Sequence, residues 1–144
     1  MHPVQIESGR PVPQADAGRV DAAALERALR AVIAGEVRFD RVSRALYSTD
    51  ASVYHIEPLG VVIARNRDDI IATVRLGHEF RCPLPLRGGG TSQAGQTVGS
   101  GIILDTAKYV NRLLAVDVDR RIARVEPGIV LDELNAQLKP HNLR

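Results

Sequence analysis

The sequence predicts an α+β fold in which a small parallel βαβ unit precedes a mainly antiparallel part, and three observations support this class. Residues 60–64 form a continuous apolar run, which suits a strand buried on both faces of a parallel sheet. A helical pattern and a second apolar run over residues 84–87 follow within a short span, so the two strands should be parallel, with a right-handed crossover. Farther along, residues 113–117 and 121–125 flank a polar turn, which is typical of an antiparallel hairpin.

The residues before this unit predict a tail followed by helices. Residues 1–19 hold three prolines, two glycines and scattered polar side chains, and we expect a mobile tail there. Asp21 can cap a helix whose apolar positions recur at helical spacing until Gly35. A second short helix is expected over residues 41–46, so that residues 20–46 form an N-terminal helical segment.

Two further helices are expected downstream. Asn66 is a suitable N-cap for the helix of the βαβ unit, whose apolar face should consist of Ile70, Ile71 and Val74. The last helix carries an apolar stripe and should stop at Pro140. Little sequence follows to cover that stripe, so we expect the sequence to be the N-terminal part of a longer protein.

Composition narrows the class of protein. The 19 Lys and Arg residues and the 17 Asp and Glu residues are interspersed, which excludes a nucleic-acid-binding patch. The single cysteine, Cys82, excludes an internal disulfide framework, and we expect a buried, inert thiol. The sequence has no apolar stretch of membrane-spanning length and no signal-like apolar region near Met1. A cytoplasmic location is therefore the default expectation, and peripheral attachment of a full-length protein to a membrane stays open.

The strongest functional signal is a glycine-rich stretch between the strand at 84–87 and a further expected strand at 102–104. Six of the 12 glycines lie in residues 88–101. Successive amides in such a stretch can converge on an anion, and the nearby Arg87, Thr91 and Ser92 add a charge and two hydroxyls, so the simplest ligand is a phosphate or pyrophosphate. The stretch lacks the lysine of a P-loop, and a strand rather than a helix follows it, which disfavours both familiar nucleotide-binding motifs. A long flexible surface turn is the alternative, and it does not explain three consecutive glycines beside an arginine and hydroxyls.

Other candidate residues give weaker signals. Tyr47 and Tyr54 flank a turn-forming segment, and we interpret them as loop anchors rather than as catalytic tyrosines. Asp50 is expected to cap a turn. His55 has no Cys, His or carboxylate at ligand spacing, so no metal site is predicted.

Several motifs in order along the chain resemble the FAD-binding domain of the vanillyl-alcohol oxidase/p-cresol methylhydroxylase type. The resemblance extends over roughly residues 46–143 and is nearest to the FAD-linked D-lactate dehydrogenase and glycolate oxidase subunit group. The segments that carry it are residues 47–52, 57–62, 85–92, 94–96, 101–105, 111–117, 125–128 and 131–135.

This resemblance implies a two-lobed FAD-binding domain, incomplete at the C-terminus, of which residues 47–144 are the N-terminal part. It implies that FAD is held noncovalently, because the members that attach the flavin through this loop have histidine where this chain has Thr91. The family's pyrophosphate cradle corresponds to Arg87, Gly88, Gly89, Gly90, Thr91, Ser92, Gly95 and Gln96.

The expected reaction of a longer parent protein is the oxidation of a 2-hydroxy acid such as D-lactate or glycolate. Its substrate would bind in a downstream cap domain, so no residue of this chain is assigned a catalytic role, and the chain alone is expected to be inactive. A stand-alone anion- or nucleotide-binding module without catalysis is the alternative function. Self-association through the exposed apolar helix is a third hypothesis. The sequence indicates neither the electron acceptor nor whether an iron–sulphur region follows.

Overall fold

A computed structural model describes residues 20–143, so the predicted tail at residues 1–19 lies outside the described residues. Helices combine with parallel and antiparallel strands, which confirms the α+β class. In chain order the elements are α1 (Ala22–Val32), β1 (Glu36–Arg38), α2 (Arg41–Leu46), β2 (Gly60–Ile63), α3 (Arg67–Glu79), β3 (Leu86–Arg87), β4 (Ile102–Asp105), β5 (Leu113–Asp117), β6 (Ile122–Val125), α4 (Leu131–Leu138) and a 3-10 turn (Lys139–His141).

The strands form two separate sheets. The larger has the order β1-β2-β4-β3, in which β2 and β3 both run parallel to β4 and β1 is antiparallel to β2. The predicted parallel relation of β2 and β3 is therefore confirmed, with β4 lying between them. β1 was not predicted, because a charged residue stands on each side of Val37 and the segment has no apolar run. The hairpin of β5 and β6 was predicted and is confirmed.

Both faces of the larger sheet are buried at its centre. One face of β2 and β4 packs against Leu25 and Leu29 of α1 within the main core. The opposite face presents Val61, Ile63 and Ile103, which are covered in part by two tyrosine rings. Central parallel strands lose water on both sides, which is why their sequences read as unbroken apolar runs. The helical segment 20–46 contributes α1 to this core and β1 to this sheet.

Helix α3 buries a different face from the one its sequence predicts. Asn66 caps it as expected, since its side chain accepts a hydrogen bond from the next turn. Ile71 and Val74, however, are 45% and 48% exposed, so this part of the prediction was wrong. The buried positions include Gly77, where a Cβ would lie 2.4 Å from the side chain of Leu84, so the small residue lets the helix approach the β3 segment closely.

The C-terminal region ends in a short helix with an exposed start. Leu138 at the end of α4 is buried, whereas Val130 and Leu131 at its start are 52% and 67% exposed. Pro140 lies inside the 3-10 turn that follows α4, so the helix ends where the proline predicted. Among residues 20–143, no helix combines the length and the apolar character that crossing a bilayer requires.

Candidate functional site

The glycine-rich stretch begins at the carboxyl end of a parallel strand. Arg87 is the last residue of β3 and is paired in register with Asp105, the last residue of β4. We call residues 88–99 the glycine loop. In open α/β sheets ligands bind beyond the carboxyl ends of the strands, so the predicted phosphate loop lies at the edge where a ligand is expected.

The first part of the glycine loop leaves its amides unused. Within residues 20–143, the amide groups from Gly88 to Ser92 donate no hydrogen bond to other residues. A Cβ added at Gly88 would meet no atom within 4 Å, and one at Gly89 would meet only the methyl group of Thr91, at 3.6 Å. A cavity of about 190 Å³ lies beside Gly88, lined also by Thr106 and Pro127. The packing of the chain itself therefore does not require glycine at positions 88 and 89.

Glycine is required by the backbone itself at two other positions of the loop. Gly90 and Gly95 have φ angles of 67° and 74°, in the left-handed region that side chains disfavour. Gly90 also lies against the guanidinium group of Arg87, whose Nη2 would be 2.5 Å from an added Cβ. These two glycines shape the loop, whereas Gly88 and Gly89 leave space beside it.

Arg87 is engaged by its neighbours within the chain. Its Nη1 donates to the carbonyl oxygen of Thr49 at 2.8 Å, and its guanidinium group lies 5.1 Å from the centre of the Tyr47 ring. Tyr47 in turn donates its hydroxyl to Asp105 at 2.6 Å. Burial, followed by the hydrogen bond to this carboxylate, raises the pKa of Tyr47 well above its ordinary value. Both residues anchor loops, as predicted for Tyr47.

The remaining predicted residues close the loop on itself. The Ser92 hydroxyl oxygen accepts hydrogen bonds from the amides of Ala94 and Gln96, at 3.2 and 3.3 Å, and its hydroxyl donates to the side-chain oxygen of Gln96. Thr91 is exposed. The donors of the loop that form no hydrogen bond within residues 20–143 thus include the successive amides from Gly88 to Ser92 and the hydroxyl of Thr91.

The segment around Asp50 also touches the loop, which sequence reasoning missed. Asp50 accepts hydrogen bonds from the Ser52 amide and the Thr97 hydroxyl, each at 2.9 Å. Hydrogen bonding lowers the pKa of Asp50 to about 2, with Ser52 contributing more than Thr97. Its predicted role as a turn cap is confirmed. His55 pairs with the hydroxyl of Ser48 at 3.0 Å. No cluster of potential metal ligands occurs among residues 20–143.

These features fit the diphosphate of a nucleotide. Consecutive amides and a hydroxyl border open space, and residues 87–101 contain no carboxylate to repel an anion. Two larger cavities among residues 20–143, of about 490 Å³ beside the hairpin of β5 and β6 and about 780 Å³ beside Cys82, do not touch the loop. The fold is thus an α+β domain with a loop whose chemistry suits a phosphate group.

Comparison with known proteins identifies the family. The sequence model of a family described as "FAD binding domain" matches residues 58–144, so the chain belongs to this family. Its cofactor is therefore FAD. A D-2-hydroxyglutarate dehydrogenase of Pseudomonas putida is 38% identical over 112 residues, which are 76% of this chain and 11% of that protein. Glycolate oxidase subunit GlcD of Bacillus subtilis is 34% identical over 110 residues, covering 72% of this chain and 23% of that protein. The chain thus spans well under a quarter of the dehydrogenase.

Solved structures show the same fold. An alkyldihydroxyacetonephosphate synthase matches with a TM-score of 0.71 at 20% identity, over 82% of this chain and 27% of that chain. A p-cresol methylhydroxylase matches with a TM-score of 0.66 at 19% identity, over 84% of this chain and 25% of that chain. The second match confirms the fold that the sequence motifs predicted.

Proposed function

We propose that this chain holds the diphosphate of noncovalently bound FAD in a flavin-dependent oxidoreductase that oxidises a 2-hydroxy acid. The observation that carries the proposal is the run of amides from Gly88 to Ser92, which donate no hydrogen bond within residues 20–143 and lie beside space that no described side chain fills at Gly88. Hydrogen bonds to a charged acceptor contribute about 1.5–3 kcal/mol each, so several amides converging on one diphosphate would stabilise the complex substantially.

The substrate class follows from the relatives. The names of the Pseudomonas putida and Bacillus subtilis proteins refer to 2-hydroxyglutarate and to glycolate, and both compounds are 2-hydroxy acids. Relatives that match this chain are named as dehydrogenases or oxidases, which gives no support to a stand-alone anion-binding module. The reaction belongs to the protein of which this chain supplies the nucleotide-binding part.

The cofactor and the residues of the chain have different roles in the proposed reaction. When bound, FAD supplies the electron-accepting chemistry of such an oxidation. The loop amides bind and orient the diphosphate. The pairing of Arg87 with β4 fixes the start of the loop, and the chain beyond its end is held where the carbonyl oxygen of Gly101 accepts from the amide of Leu59. Thr91 offers a hydroxyl rather than an imidazole, which supports noncovalent attachment.

Two glycine substitutions test the proposal in the complete gene product. Gly88→Val and Gly89→Val add side chains where the described chain has room for them, so the free energy of unfolding should stay within about 0.5 kcal/mol of the wild-type value. Bound flavin, measured by absorbance after purification, should fall to below about a tenth, because the side chain blocks the approach of the diphosphate. Ala45→Val on exposed helix α2 serves as the control and should retain full flavin. Stoichiometric FAD in both glycine variants would refute the assignment.

A further inference from the structure

A short segment upstream of β2 forms a hairpin of its own. The amide of Ile56 donates to the carbonyl oxygen of Ser48 at 2.9 Å, and Thr49 pairs with His55 as an isolated antiparallel bridge. We call residues 48–56 the upstream hairpin. These bonds lie within the hairpin and do not involve the glycine loop.

The upstream hairpin contacts the β3 end and the glycine loop at several points. Three of these contacts are hydrogen bonds and one is the packing of an aromatic ring on a glycine that has positive φ. They are Arg87 Nη1 to the Thr49 oxygen at 2.8 Å, the Ala51 amide to the Gly90 oxygen at 3.1 Å, the Thr97 hydroxyl to Asp50 Oδ2 at 2.9 Å, and the Tyr54 ring against Gly95.

These contacts hold the glycine loop near both of its ends. Arg87 immediately precedes the loop and Gly90 lies near its beginning, whereas Gly95 and Thr97 lie towards its end. A glycine-rich segment has more backbone freedom to lose on binding than any other, so a loop left to itself would bind its ligand weakly. Contacts that order the loop beforehand raise affinity without touching the ligand.

We propose that the upstream hairpin holds the glycine loop in the conformation that binds FAD, and that Asp50 is the positioning residue that connects the hairpin to the loop. This inference rests on the proposed function. The two oxygens of Asp50 have separate tasks. Oδ1 accepts from the Ser52 amide inside the hairpin, and Oδ2 accepts from the Thr97 hydroxyl of the loop. Asp50 therefore connects the upstream hairpin to the glycine loop through Thr97 and has no need to contact the cofactor. We call this connection between Asp50 and Thr97 the joint.

Hydrogen exchange of the cofactor-free protein, resolved to single amides, tests the joint directly. In Thr97→Val the Ala51 amide, which is bonded to Gly90 across the joint, should exchange about tenfold faster. The Ile56 amide, bonded inside the hairpin, should keep its wild-type rate. Thr49→Val is the matched control and should leave exchange at Ala51 unchanged, since the Thr49 hydroxyl forms no hydrogen bond within residues 20–143. Thr97→Ser keeps a hydroxyl at position 97, so the Ala51 amide should exchange as slowly as in the wild type.

FAD titration of the same complete proteins links the joint to binding. Thr97→Val should raise the dissociation constant for FAD about tenfold, and Thr97→Ser should bring it back to near the wild-type value. Asp50→Ala should raise it at least as much, and adding Thr97→Val to Asp50→Ala should have little further effect, since both remove the same bond.

The outcomes separate the two proposals. Unchanged exchange at Ala51 in Thr97→Val would overturn the positioning role, and so would faster exchange with an unchanged dissociation constant. Faster exchange at Ala51, with no binding of FAD by any of the proteins, would support the joint and refute the proposed function.

Discussion

The hydroxyl of Tyr47 donates a 2.6 Å hydrogen bond to Oδ2 of Asp105, which joins the end of helix α2 to the carboxyl end of strand β4. Asp105 is only 7% exposed, and its other oxygen accepts from the amide of Ala107 at 2.7 Å. The Tyr47 ring also lies beneath the guanidinium group of Arg87. One side chain thus supports the residues from which the glycine loop starts.

Tyr47→Phe should lower the free energy of unfolding by about 1–3 kcal/mol, because a buried carboxylate oxygen loses its donor. Urea denaturation measures the change. Tyr54→Phe is the matched control and should have almost no effect, since Tyr54 is 54% exposed and its hydroxyl forms no hydrogen bond within residues 20–143. Equal stability of the two variants would contradict the structural role of the Tyr47 hydroxyl.

A second prediction concerns Asp69, which is 2% exposed. Its carboxylate accepts hydrogen bonds from the backbone amides of Ala34, Gly35 and Arg65, at 2.8, 2.9 and 2.8 Å. Asp69 therefore joins α3 to the turn between α1 and β1. Asp69→Ala should cost about 3 kcal/mol or more, because each buried amide left without an acceptor costs about 1–3 kcal/mol.

The neighbouring aspartate provides the comparison for this measurement. Asp68 is exposed in the same first turn of α3, and Asp68→Ala should change the free energy of unfolding by less than about 0.5 kcal/mol, by urea denaturation. A loss for Asp69→Ala no greater than that for Asp68→Ala would show that the amides find other acceptors.

The role of Asp69 illustrates what local sequence patterns can predict. The helix caps Asp21 and Asn66 and the apolar strands were predictable, because capping and burial in a central strand follow from neighbouring residues. A carboxylate in the first turn of a helix favours the helix dipole, yet two partners of Asp69, Ala34 and Gly35, lie more than thirty positions upstream. A bond of that span depends on how α1 and α3 pack, which a local pattern does not contain.

The candidate site shows the same division. Six glycines in a short stretch marked the loop, because glycine's lack of a side chain is visible in the sequence itself. Its support was not visible: Arg87 pairs with Thr49, and Thr97 with Asp50, across 38 and 47 positions. Arg87 and Ser92 were predicted to bind a phosphate from their chemistry, and the resemblance placed them in the pyrophosphate cradle. The structure engages both in contacts within the chain. Whether they also touch FAD stays a prediction.

A third prediction concerns the thiol of Cys82, which is 6% exposed. Burial raises its pKa, so little thiolate is present at neutral pH. Iodoacetamide should alkylate Cys82 at least about a hundredfold more slowly in native buffer than in denaturing urea, as measured by mass spectrometry. Rapid alkylation of the native protein would show that the cavity beside Cys82 admits reagents to the sulfur.

The last prediction concerns acid sensitivity at Glu36 on the edge strand β1. The carboxylate accepts hydrogen bonds from Lys108 at 2.6 Å, from the Tyr109 hydroxyl at 2.9 Å and from Arg38 Nε at 2.9 Å. These hydrogen bonds lower the pKa of Glu36 from its usual 4.5 to about 2, and the bond from Lys108 has the largest effect. The charged form is therefore favoured by folding, and its contribution is complete above about pH 4.5 and lost as the pH falls towards 2.

Glu36→Gln should thus be less stable than the wild type at pH 7, and the difference should shrink steadily between pH 4.5 and pH 2. Urea denaturation at several pH values measures both free energies of unfolding. Glu79→Gln is the control, because Glu79 is exposed at the end of α3 and forms no ion pair within residues 20–143, so its difference from the wild type should stay small throughout. A pH-independent difference for Glu36→Gln would mean that the side chain acts through its shape rather than through its charge.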